Sequence, residues 1–271
     1  MTAPTTLFAH VDVSAWIGGY PFREAPHPDP EVLVRVLQRE GVARAWVGWL
    51  PTAWQRDPSE GNARLLQALA PWRDVLDPAP AVRPDWPGWQ RELAKQVEGG
   101  ATSIRTYPAQ WGLGPGDPGL TALAHACREV GLPVHITVRV EDLRQRHLHD
   151  VAGDVPAATV RALARAGTGC RFVISGAGRD VIEEVAWGLT PEERALVWFD
   201  FGWVWGPPEE QFARLVRALG SAQLVYGSQW PLRLVQQSRA LVSLLPSDIA
   251  VTLPLPYPKR GEETSAEREL L

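Results

Sequence analysis

The chain has 271 residues, of which 45% are hydrophobic and 21% charged, with a formal net charge of −4. That length and apolar fraction suit one large folded domain with a sizeable core. With no run of Lys or Arg, the sequence offers no footprint for nucleic acid or an anionic membrane surface.

The opening residues MTAPTTLFAHVDV lack a basic start followed by an apolar block, and no 18-residue apolar run occurs. A cytoplasmic protein with no export signal and no membrane span is therefore expected. Cys127 and Cys170 fall in apolar patterns and read as buried thiols.

In chain order, a short β-type run is followed by an amphipathic helical pattern, again and again. The first strand is predicted over 7–14, and Asp29-Pro30-Glu31 opens a helix over 30–40 that Gly41 closes. Strand 42–49 precedes a helix over 59–71 begun by Ser59-Glu60, and strand 75–82 precedes one over 87–98 that starts at Pro87 and stops at Gly99-Gly100. Strand 102–107 leads to helix 118–130, strand 133–140 to helix 156–167, and strand 171–175 to helix 179–187. Strand 196–201 leads to helix 207–219, between Pro207-Pro208 and Gly220, and strand 223–226 to helix 232–245.

Eight βα units in about 250 residues predict an α/β fold, a single-domain (β/α)8 TIM barrel. It is expected over 1–253, with a charged tail over 254–271. A doubly wound sheet is the competing architecture, but HVDVSAWIGGYP supplies no Gly-rich phosphate loop after the first strand.

The sequence has 13 tryptophans, and Trp16, Trp49, Trp54, Trp111, Trp203, Trp205 and Trp230 fall at or just after predicted strand ends. Core filling is one reading and an aromatic-walled pocket mouth the other, because indole buries a large area while keeping one polar handle.

Four segments, HVDVSAWIGGYPFR, GATSIRTYP, GLPVHITV and LVYGSQWPL, together resemble the amidohydrolase superfamily. The likeness is to its branch of amidohydrolase-related barrels that includes small-acid decarboxylases and lactonases. It implies a metal at the carboxyl end of the barrel. Its ligands would be a His-x-His on strand one, a His at the end of strand five, a His on strand six and an Asp after strand eight. Those positions fall here on Asp12 and Ser14, Thr137, Gly176 and Gln229. Amide and hydroxyl groups hold a divalent ion poorly, so no metal and no organic cofactor are expected, and metal-assisted water attack loses its usual base.

Alternation along a strand predicts that His10, Asp12 and Ser14 share the axial face of the first strand, as His135, Thr137 and Arg139 share that of the fifth. Arg105 and Tyr107 are expected to point inward from strand four, with Ser175 ending strand six and Asp200 strand seven. The resulting polar funnel suits a small molecule bearing a carboxylate, since arginine offers a planar fork to such a group.

His10, Asp12, His135, His147 and Asp200 are the candidate catalytic groups. Arg105 and Arg139 are expected to hold the substrate, lined by Ser14, Tyr107, Thr137, Arg144, Gln229 and Trp230. After strand five comes EDLRQRHLHD, 141–150, with Asp142, Arg144, His147, His149 and Asp150 placed over the mouth. There His147 reads as a histidine acid/base beside Asp142, as half of a second metal pair with His149, or as part of a solvated loop.

Three functional classes stay open. The first is a metal-independent hydrolase or lyase acting on a small, anionic molecule. The second is a catalytically silent barrel kept as a ligand-binding or scaffold protein. The third is a metal-dependent hydrolase with ligands rearranged around His10, Asp12 and His135. A homo-oligomer is also left open.

Overall fold

The computed structural model describes residues 11–25, 28–207 and 210–249. His10 and the predicted tail over 254–271 lie outside the described residues.

The alternation is realised as eight parallel strands: β1 (Val11–Ile17), β2 (Arg44–Trp49), β3 (Leu76–Pro78), β4 (Ile104–Thr106), β5 (Val134–Thr137), β6 (Phe172–Ser175), β7 (Val197–Asp200) and β8 (Leu224–Val225). The helices are α1 (Pro30–Glu40), α2 (Ser59–Leu69), α3 (Trp89–Glu98), α4 (Pro108–Trp111), α5 (Pro118–Glu129), α6 (Ala157–Arg165), α7 (Arg179–Trp187), α8 (Pro191–Arg194), α9 (Gln211–Leu219) and α10 (Val235–Ser243). The local signals explain the boundaries. Pro30 and Pro118 sit at the first helical positions, where no N–H is needed. Asp117 caps α5 by accepting from the N–H groups of Gly119 and Leu120. Gly41 ends α1 in the left-handed conformation, at φ 71°.

β1 to β3 form one hydrogen-bonded run and β4 to β8 another. Two seams close the barrel. Between β3 and β4, Arg105 N donates to Pro80 O at 2.8 Å and Val82 N to Arg105 O at 3.0 Å. Between β8 and β1, Val13 N donates to Tyr226 O at 2.9 Å, Gln229 N to Ser14 O and Trp16 N to Trp230 O, both at 2.8 Å. Closure leaves no free sheet edge.

The main core lies between strands and helices, where α1 buries Leu33, Val34, Val36 and Leu37 and α9 buries Phe212, Leu215 and Val216. A second, smaller apolar cluster of Val13, Trp46, Ala79, Val173 and Val225 fills the inside of the barrel. It floors the polar layer above.

Asn62 of α2 is fully buried and serves the strand backbone just beyond β3. Its Nδ2 donates to Ala81 O at 2.8 Å and to Glu92 Oε1 at 2.7 Å, while its Oδ1 accepts from Ala81 N at 2.9 Å. Asn62→Ala leaves both backbone groups of Ala81 without that partner, and a loss of about 2 to 3 kcal/mol is expected. Urea denaturation reads it as a lower midpoint at unchanged slope.

Candidate functional site

The first strand does not keep the expected parity. Its pairing with β2 slips between Asp12 and Ala15, so that three residues of β1 span two of β2. Asp12 causes the slip: its Oδ1 accepts from Ser14 N and from Ser228 N, each at 3.0 Å. A side chain that captures a nearby N–H competes with the ladder and produces a bulge. Val13, not Asp12 or Ser14, therefore joins the inner apolar cluster. Asp12 clamps β1 to the β8 turn, with its Oδ2 unpartnered and burial raising its pKa. Ser14 is buried with an unpartnered Oγ.

Arg105 crosses the barrel from β4. Its Nη2 lies 3.4 Å from both Val13 O and Ala15 O, its Nη1 lies 3.4 Å from His135 Nε2, and its Cζ stands 4.9 Å from the Trp16 ring centroid. Gly48 makes the room, since a Cβ there would come within 2.9 Å of Arg105 Cδ and Nε. Tyr107 also points inward, and its hydroxyl accepts from Trp16 Nε1 at 3.1 Å.

The Arg105 side chain is fully buried and its Nε has no partner. Among the described residues no carboxylate reaches salt-bridge distance of it. His135 Nε2 also meets Ser175 Oγ at 2.8 Å. Burial, and then the Arg105 charge, hold this imidazole well below its usual pKa, so it is neutral.

Asp200 accepts from Gln229 Nε2 and from Gly202 N. Burial raises its pKa to about 7, with the nearby Asp12 adding to the rise and the Gly202 N–H opposing it. Gln229 holds a left-handed backbone at φ 62°, uncommon for a residue with a side chain. Its Oε1 and the buried Thr137 Oγ1 have no partner. An open funnel was expected, whereas Arg105, His135, Thr137, Ser175, Asp200 and Gln229 all have no solvent exposure.

The segment 141–150 is the reason. It packs over the mouth on residues that follow β1 and β2. Asp150 accepts from Tyr20 Oη at 2.9 Å and Trp54 Nε1 at 3.1 Å, Glu141 pairs with Arg23, and the His147 ring stacks on Phe22 with centroids 5.7 Å apart. Asp142 is engaged by Arg144, which holds its carboxyl down at a pKa of about 2. The expected pairing of His147 with Asp142 is therefore not formed, and His147 Nδ1 instead accepts from His149 N. Arg139 leaves the axial face, pairing with Asp154 and lying against the Trp203 ring. Trp230 turns outward to a groove against α1 rather than to the mouth.

The five positions do not fit a catalytic divalent ion. Only Asp12 among them is a carboxylate, and one of its oxygens is taken by two backbone N–H groups. At Gly176, φ is +74° and a Cβ would meet Arg139 O at 2.4 Å, so no ligating side chain can stand there. Among the described residues, no group of three or more His, Cys, Asp or Glu is placed to hold a metal.

Sequence reasoning missed Arg233, Glu141 and Arg23. A cation four residues past Gln229 in the last strand-end turn was the readable signal for Arg233. Nothing local marks Arg23 as the partner of Glu141, 118 residues away.

Asp200 is protonated in the folded state up to about pH 7 against an ordinary value of 3.8 when unfolded, so its own contribution to stability is full below about pH 4 and is lost as pH rises through 7. Asp12 acts in the same direction and the buried neutral His135 in the opposite one. In chemical denaturation from pH 4 to 8, the stability of Asp200→Asn relative to the parent chain should therefore rise with pH.

No protein-family model and no curated protein matches this sequence. Solved structures do match in fold. The 2,6-dihydroxybenzoate decarboxylase from Rhizobium is 12% identical, with 89% of this chain and 92% of that chain covered and a TM-score of 0.61. The 4-oxalomesaconate hydratase from Rhodopseudomonas palustris is 12% identical over 89% and 90% of the two chains, with a TM-score of 0.62. The 5-carboxyvanillate decarboxylase from Sphingomonas paucimobilis is 11% identical over 88% and 94%, with a TM-score of 0.61. At such identities the likeness carries architecture alone: this chain is a (β/α)8 barrel.

Proposed function

We propose that this chain is a metal-independent enzyme of the lyase or hydrolase class that acts on a small carboxylate bound at Arg105. The carrying observation is a fully buried guanidinium with no acid at salt-bridge distance among the described residues. Its hydrogen-bond contacts to His135 and the β1 carbonyls are neutral and long, at 3.4 Å. Buried charges are otherwise paired, because desolvation costs several kcal/mol per ion. A ligand carboxylate is the group that completes this site. The names of the fold neighbours, two decarboxylases and a hydratase of small acids, support the substrate class.

Within this reading Asp200 is the proton-transfer group, because a carboxyl with a pKa of about 7 serves as acid or base at neutral pH. His135 stays neutral, and its Nε2 shares a hydrogen bond with the Ser175 hydroxyl, which holds both groups beside Arg105. Gln229 orients Asp200 through its amide. His10 and His147 remain candidates, the former outside the described residues. Substrate entry requires the 141–150 segment to lift.

The second reading, a silent barrel that binds a ligand without turning it over, is supported by that closed mouth and by the complete burial of the polar layer. Both readings share the carboxylate position.

In a thermal-shift assay, benzoate at a hundredfold above Kd should raise the melting temperature by about 5 to 10 °C. Arg105→Met should melt no lower than the parent chain, since an unpaired buried cation is removed, and should show no rise. An equal rise in the variant rejects the site. For any carboxylate that is turned over, the rate should survive exhaustive chelation. A stoichiometric transition metal whose removal abolishes turnover overturns metal independence, and binding with no turnover across a panel of acids favours the silent barrel.

A further inference from the structure

The mouth holds a second cation with no acid at salt-bridge distance among the described residues, and the inference drawn from it rests on the Arg105 reading. Arg233 follows β8, and its guanidinium lies against two indoles, with Cζ 3.6 Å from the Trp203 ring centroid and 4.4 Å from that of Trp205. The residue is only 9% exposed, and its Nε is buried with no hydrogen-bond partner.

The other arginines around it are matched: Arg23 with Glu141, Arg144 with Asp142, and Arg139 and Arg146 with Asp154. Glu141 and Asp142 act on Arg233 through space, yet neither is at salt-bridge distance among the described residues. Burial lowers its pKa to about 10, which leaves it charged at neutral pH.

The two indoles meet edge to face at 80°, and a guanidinium's five N–H donors lie in its plane, so an indole over one face leaves the edge available to a planar acceptor. Trp205 is 44% exposed, so solvent reaches this end of the stack. The stack also fixes the fork in advance, which reduces the ordering cost of binding. Arg105 lies inside the barrel and Arg233 at its mouth; Asp200 and Asp12 act on the first through space as Glu141 and Asp142 act on the second, but none is at salt-bridge distance among the described residues.

We propose that Arg233 is a second anion-binding position, so that the ligand of this barrel carries two acidic groups and is a small dicarboxylate. One carboxylate meets Arg105 and the other meets the edge of Arg233.

Isothermal titration of the full chain with matched probes tests this: benzoate against isophthalate, and butyrate against succinate, glutarate and adipate. The best dicarboxylate should bind at least tenfold more tightly than its one-acid partner, equivalent to about 1.4 kcal/mol. Arg233→Met should abolish that ratio while leaving the benzoate Kd within twofold. Arg233→Lys, which keeps the charge and loses the fork, should keep part of the ratio, and it serves as the test if the methionine variant melts early.

A ratio equal in the parent chain and Arg233→Met, or no dicarboxylate preference at all, overturns this inference while benzoate binding lost in Arg105→Met leaves the first reading intact. Benzoate binding that survives Arg105→Met overturns the Arg105 reading instead. Failure of every acid to bind the parent chain rejects both.

Discussion

A positive charge held in the middle of a closed barrel is the constraint around which the rest of this structure is arranged. Arg105 has no acid at salt-bridge distance among the described residues, and each neighbour adjusts to it. Gly48 gives up its side chain to let the guanidinium stem pass, and Trp16 turns an indole face to the cation. His135 is kept neutral by the same charge and by burial. The backbone carbonyls of Val13 and Ala15 face it from the opposite strand. Low effective dielectric strengthens every one of these contacts and makes any missing partner costly.

At the positions where the resemblance implies metal ligands, the residues present are engaged otherwise. A guanidinium and a divalent cation in one small buried space would repel each other. At Gly176 the Arg139 backbone occupies the volume that a ligand side chain would need. At Gln229 the carboxamide donates to Asp200, using a carboxylate as a hydrogen-bond acceptor within the protein. Asp12 is spent on the joint between β1 and β8.

Closure of the mouth is the second structural theme. The 141–150 segment is fastened by hydrogen bonds, one ion pair and one ring stack, all to the turns that follow β1 and β2. These are individually modest interactions at a partly exposed place, worth about 1 kcal/mol each. Tryptophan serves both layers: Trp16 and Trp54 seal the inside and the latch, whereas Trp203 and Trp205 brace Arg233.

The sequence by itself determined the architecture, because strand and helix periodicity, prolines at helix starts and glycines at helix ends are local signals. The predicted strands and helices appear in the predicted order. It also determined residue identity at the five positions where the resemblance implies metal ligands, of which Asp12 alone is an acid. It did not determine which side chains face the axis. Val11 and Val13 take the inner face of β1, while Asp12 bonds to Ser14 N where the strand bulges, and alternation alone carries no record of it. Nor did it determine that Arg139 leaves the centre for Asp154, that His147 rests on Phe22 rather than beside Asp142, or that Arg233 lies against two indoles. Those outcomes depend on side chains brought together by barrel closure across long stretches of chain, and only the tertiary structure decides which of several chemically suitable partners lies within reach.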